Sequence, residues 1–126
     1  MIKGIGVDLV KVSRVAASYD RFGIKFAAKI LAPDELSLLD KVVNKVGFLA
    51  KRFAAKEAVS KALGTGMRQG VHFAQIIVKN HPSGAPYIEL VGRAQDVALA
   101  LGVSSINLSI SDEVDAAIAF VVFEGD

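Results

Sequence analysis

With 126 residues, 52% of them hydrophobic and 22% charged, the chain has the make-up of a single folded domain over 1–126 and not of a disordered segment. It contains no cysteine, which excludes disulfides, thiolate nucleophiles and thiolate-held metals. Its two scattered histidines offer no zinc site, so any metal is expected to be hard and oxygen-bound. The net charge of +2 is small, and the positions of the bases matter more than their sum.

No apolar run reaches the ~18 residues of a membrane span and no signal-peptide core precedes the first charges, so a cytoplasmic chain without a membrane partner is expected. The opening GIGVDLV alternates as a strand does: Ile5, Val7 and Leu9 on one side, Gly4, Gly6 and Asp8 on the other. The Asp8 carboxylate therefore lies on a face stripped of side chains, open to a ligand or to another backbone. As a helix cap Asp8 would have a purely structural use.

From Lys11 to Ile30 bases alternate with apolar residues, Arg14, Arg21, Lys25 and Lys29 against Val15, Phe22, Phe26 and Ile30, and Gly23 is expected to break the stretch into two short helices. A basic helical surface bearing phenylalanine suits an acidic helical partner; no nucleic-acid motif accompanies it. Pro33, Asp34 and Glu35 open a further helix, where proline and acids suit the first turn.

Phe48 to Gly66, FLAKRFAAKEAVSKALGTG, reads as one long helix ending in a glycine-flanked loop. Five alanines, Ala50, Ala54, Ala55, Ala58 and Ala62, favour the helix and keep it thin. Glu57 and Lys61 lie about 40° apart on its wheel, while Arg52 and Lys56 share a different side, giving two polar faces. Gly64 is a C-terminal cap, and Thr65 and Gly66 extend it into a turn. Two strands follow, Gln75–Lys79 and Tyr87–Val91, then a short helix from Gly92 to Gly102. Ile106, Leu108 and Ile110 mark a half-exposed strand, and Ala116–Phe123 reads as a strand that is central or buried on both faces. The order predicts an α+β fold, a largely antiparallel sheet packed on one long helix.

Taken together, GIGVDLV with Arg14, ILAPDEL, RFAAKEAVSKALGTG, GAPYIEL and INLSISDEVDAAIAFVV resemble, over nearly the whole chain, the holo-acyl-carrier-protein synthase family of short phosphopantetheinyl transferases. The resemblance implies the 4'-phosphopantetheinyl transferase-like fold and transfer of 4'-phosphopantetheine from coenzyme A to a serine of apo-acyl carrier protein, in support of fatty acid biosynthesis. It also implies a homotrimer with active sites between subunits. Asp8 and Glu57 match the family's magnesium ligands. Lys61 is the candidate for offsetting phosphate charge, and Arg52, Lys61, Gly64, Thr65 and Gly66 are candidates for binding coenzyme A. Arg14, Arg21, Lys25 and Phe26 are candidates for docking the carrier protein. Either Glu57 or a magnesium-bound water could take the serine proton. One departure is Asp112, where many members have histidine.

Two other readings use the same residues. A magnesium-dependent pyrophosphate hydrolase would employ Asp8, Glu57 and Lys61 but leave the basic helices without a purpose. A non-catalytic module for acidic helices would explain the bases but not Asp8.

Overall fold

In the computed structural model, which describes residues 1–126, the first strand lies directly against a helix backbone. Strand β1 (Ile2–Lys11) runs into helices α1 (Val12–Phe22) and α2 (Ile24–Ile30), and Gly23 between them takes φ 57°, a conformation that favours glycine. A single turn, α3 (Pro33–Leu36), precedes the long helix α4 (Lys45–Leu63). Strands β2 (Ile76–Asn80) and β3 (Pro86–Leu90), helix α5 (Gly92–Ala100), and strands β4 (Ser105–Asp112) and β5 (Ala116–Glu124) complete the chain. The architecture is α+β and all strand pairs are antiparallel, but the strands form two sheets, β1-β5-β4 and β2-β3. No helix is long and apolar enough to cross a membrane.

Helix α4 starts where the Asn44 side chain accepts the Gly47 N–H at 2.9 Å and stops at Gly64, left-handed with φ 82°. Between these caps it is buried nearly all round, which explains the apolar residues and alanines on every side of it. Its thin alanine side meets β1. A Cβ at Gly4 would lie 2.4 Å from the Ala62 carbonyl oxygen, and one at Gly6 would lie 1.8 Å from that of Ala58. The bare glycine face of β1 thus admits a helix backbone, and Asp8 emerges at the edge of the contact. On the same side β5 contributes Ala117, Ala119, Val121 and Phe123, all buried. Full burial of side chains such as Val121 or Phe123 contributes about 1.5–3 kcal/mol each.

Strand β5 is central in its sheet, as its composition suggested, but only one of its faces is covered. Ile118 and Phe120 are exposed on the other, beside Ile5, Val7 and Leu9 of β1. An apolar run can mark either double burial or a strand with one bare apolar face, and here it marks the second.

The expected polar face carrying Arg52 and Lys56 is also corrected: both side chains are inside. Lys56 is 0% exposed and Glu35 1%. Lys56 Nζ donates to Glu35 Oε1 at 2.5 Å and to the carbonyls of Ile30 and Phe73, at 2.6 and 3.1 Å. Arg52 Nε donates to Glu35 Oε2 at 3.2 Å, and Nη2 to the Val78 carbonyl. Glu35 further accepts the Ala32 and Val78 N–H groups, so it caps α3 while joining α3, α4 and β2. Burial pushes the pKa of both bases down, and the Glu35 charge opposes that shift. A charge buried this deeply is tolerated only with its partners, and removing one partner of such a pair costs ~3–5 kcal/mol.

Candidate functional site

The glycine contact that seats α4 on β1 also aligns Asp8 with the next turns of the helix. Lys61 Nζ donates to Asp8 Oδ1 at 3.0 Å and to the Val7 carbonyl at 2.9 Å. The predicted Glu57–Lys61 proximity along the helix is therefore resolved by a third residue, with the ammonium hydrogen-bonded to Asp8. Asp8 and Glu57 line one cavity of about 540 Å³ with Lys11, Arg14, Ser18, Phe26 and Phe53. Glu57 has its pKa raised, first by burial, then by the neighbouring Asp8 charge, with Lys61 acting in the opposite direction.

Two carboxylates from separate elements, with the Asp8 charge near enough to add to the raising of the Glu57 pKa by burial, form a hard, oxygen-only donor set suited to a magnesium ion that keeps several waters. A cation between them would relieve the repulsion, as the Lys61 ammonium does in part. The cavity has one acidic corner, a basic rim at Lys11 and Arg14, and an apolar wall at Phe26 and Phe53. Phe53 is fixed by stacking on Phe73, ring centroids 5.5 Å apart.

Of the residues singled out from the sequence, the fold thus brings together Asp8, Glu57, Lys61, Arg14 and Phe26. Arg21 and Lys25 are exposed on α1 and α2, and Arg21 lies over the Phe22 ring at 5.1 Å. Arg52 lies elsewhere, in a groove with Lys41, Lys51 and Asn80. In the Gly64–Thr65–Gly66 turn, the N–H groups of Gly64 and Gly66 donate to the carbonyls of Lys61 and Ser60 at 3.0 and 3.1 Å. They close the end of the helix, so these two N–H groups are taken up within the turn and do not face a ligand. Thr65 Oγ1 donates to the Gly66 carbonyl. Asp112 is exposed at the end of β4 and shares a small pocket with Lys51 and Arg52.

The sequence reading missed Ser18 and Phe53. Ser18 follows Arg14 by one helical turn, a spacing that could have flagged it, whereas Phe53 carries no signal to distinguish it from core. His72 and His81 are exposed, and His81 stacks on Tyr87 at 4.2 Å.

Residues 4–121 match the family described as 4'-phosphopantetheinyl transferase superfamily. The chain is 46% identical to the holo-[acyl-carrier-protein] synthase of Vibrio vulnificus and 48% identical to that of Hydrogenovibrio crunogenus, each alignment covering 98% of both chains. Among solved structures it is similar to the holo-[acyl-carrier-protein] synthase of Neisseria meningitidis, with a TM-score of 0.91 and 43% identity over 98% of this chain and 99% of the other. The Bacillus anthracis enzyme, solved in complex with CoA (3',5'-ADP), aligns with a TM-score of 0.84 and 34% identity over 100% and 99%. A fold shared along its whole length and identity approaching one residue in two lead to one conclusion: this chain belongs to the holo-[acyl-carrier-protein] synthase family of the 4'-phosphopantetheinyl transferase superfamily.

Proposed function

We propose that this chain, acting as one catalytic domain over 1–126, transfers 4'-phosphopantetheine from coenzyme A to a serine hydroxyl of apo-acyl carrier protein. The products are holo-carrier protein and 3',5'-ADP. The observation that carries this reading is the convergence of Asp8, which Lys61 hydrogen-bonds, and Glu57 on a cavity rimmed by Lys11 and Arg14. In the reaction the serine oxygen forms a bond to the β-phosphorus. The bond from that phosphorus to the bridging oxygen breaks, and the charge departs with the nucleotide.

Asp8 and Glu57 would hold Mg²⁺, which when bound supplies positive charge to the pyrophosphate. Lys61, half-exposed beside Asp8, can turn its ammonium to a phosphate oxygen and offset charge on the leaving nucleotide. Glu57, with its raised pKa, is the chain's own carboxylate best suited to receive the serine proton. Phe26 and Phe53 would keep water from one side of the reacting groups. Release of 3',5'-ADP tests the reading against hydrolysis: it is expected only when apo-carrier protein is present. Equal release from coenzyme A alone would overturn it.

Arg14 on the cavity rim, with Arg21, Lys25 and Phe26, would dock the carrier protein. Arg14→Glu or Arg21→Glu is expected to raise the KM for carrier protein about tenfold at low salt, with little change in kcat, and the difference should shrink as salt is added. Salt-independent kinetics would contradict the docking assignment.

We further propose that the chain works as a homotrimer with sites completed between subunits. Support comes from the apolar outer face of β1 and β5, where Leu9 is 67% exposed and Phe120 46%. Phe120→Glu should lower the mass measured by analytical ultracentrifugation and reduce transfer with it. An unchanged mass would count against this face as the contact. A cytoplasmic location and a supply of holo-carrier protein to fatty acid synthesis are proposed along with this substrate pair.

A further inference from the structure

Glu57 and Lys61 stand about one helical turn apart in the order that favours an ion pair along a helix, yet the Lys61 ammonium pairs with Asp8 across the strand–helix contact. It donates to Asp8 Oδ1 at 3.0 Å and to the Val7 carbonyl at 2.9 Å, so both acceptors belong to β1. The two sides of this contact differ in freedom. The Asp8 side chain is 16% exposed, and its backbone is fixed by pairing with Ala119 of β5 and by the seat of Gly6 on Ala58. The Lys61 side chain is 51% exposed in the last turn of α4, and its flexible stem can swing the ammonium away. Oδ1 of Asp8 is thus held by a cation of the chain itself, whereas no group of the chain donates to Oδ2, and Asp8 lines the cavity with Glu57.

An arriving metal ion therefore competes with an ammonium for the same carboxylate. We infer that Lys61 gates Asp8: seated on Oδ1, its ammonium opposes a divalent cation at the Asp8–Glu57 pair, and an anionic phosphate that draws the ammonium off opens the pair to that cation. This gate rests on the reading of Asp8 and Glu57 as metal ligands. It makes coenzyme A and the metal bind cooperatively through a side chain of the protein, in addition to any direct contact between them. A unit positive charge about 5 Å from a divalent ion weakens its binding about tenfold even at the screening of water. Release of the ammonium costs little, because a half-exposed ion pair is worth little in water and the Val7 carbonyl, on an edge strand, is left to solvent. By linkage, the metal strengthens coenzyme A binding by the same factor.

The gate is tested by binding of Mn²⁺, a hard divalent ion with the same preference for oxygen, read from the loss of the free-ion signal in electron paramagnetic resonance. Without coenzyme A, Lys61→Met is expected to bind Mn²⁺ about tenfold more tightly than wild type, while Lys61→Arg, which keeps the charge, stays within about threefold of it. With coenzyme A present, and the ion held by coenzyme A in solution subtracted, the affinity of wild type should rise about tenfold more than that of Lys61→Met. A merely structural role predicts the opposite sign, since an Asp8 loosened by the loss of Lys61 would hold the ion less tightly. Asp8→Asn added to Lys61→Met should abolish the gain. If that double variant keeps it, the ion is not at Asp8, and the metal reading fails together with the gate. If Lys61→Met binds Mn²⁺ no more tightly than wild type while Asp8→Asn alone weakens binding, the ion sits at Asp8 and only the gate is overturned.

Discussion

Asp8→Asn and Glu57→Gln, each made alone, are expected to lower kcat/KM for transfer by about 10²–10³-fold at saturating magnesium while leaving the chain folded. Each substitution preserves the shape of the side chain and removes one of the two negative charges facing the cavity. Asp8→Asn also weakens the Lys61 contact, but Lys61 is half-exposed, so that loss should cost less than about 1 kcal/mol of stability. In Asp8→Asn the Glu57 pKa, raised first by burial and then by the Asp8 charge, loses the second of these causes. The magnesium dependence of each variant should shift to higher concentration. Activity within about threefold of wild type for either variant would remove it from the candidate site.

A second large effect is expected at a residue with no chemistry of its own. Gly6→Ala should destabilise the fold by about 3 kcal/mol or more, because the added Cβ would lie 1.8 Å from the Ala58 carbonyl oxygen and 2.8 Å from its carbon. Backbone cannot give way as a flexible side chain can, so β1 must lift off α4. That movement displaces Asp8, two residues on, and transfer should fall along with stability. Gly64→Ala provides the contrast: open space surrounds it, and only its φ of 82° resists, at a cost of about 1 kcal/mol. Chemical denaturation of the two variants decides the matter. Equal midpoints would show that the strand–helix contact is looser than the distances imply.

This contact also shows what can be read from sequence in this fold. The alternation of Gly4, Gly6 and Asp8, and the alanines of α4, each announced a close approach, but only the folded chain reveals that they approach each other. Local signals were sufficient for the end of α4 at Gly64 and for the break at Gly23, whereas the helix starts at Lys45, capped by Asn44, before the expected Phe48. The convergence of Asp8 and Glu57 was suggested by family resemblance, because residues 49 positions apart have no periodicity to connect them. Arg52 and Lys56 misled for a physical reason: wheel angle separates faces of a helix but does not say which face is wet, and a single buried glutamate 17 residues before Arg52 brought both bases inside. Similarly, the composition of β5 could not reveal that Ile118 and Phe120 lie on an uncovered face.

The central claim is that the site formed by β1 and α4 moves phosphopantetheine onto a carrier protein. The most direct test is the intact mass of purified apo-acyl carrier protein after incubation with this chain, coenzyme A and magnesium, beside a sample containing a chelator. The prediction is a gain of one phosphopantetheine per carrier protein, absent where the metal is removed. An unchanged carrier protein with coenzyme A cleaved in the same tube would contradict it and identify the site as that of a hydrolase.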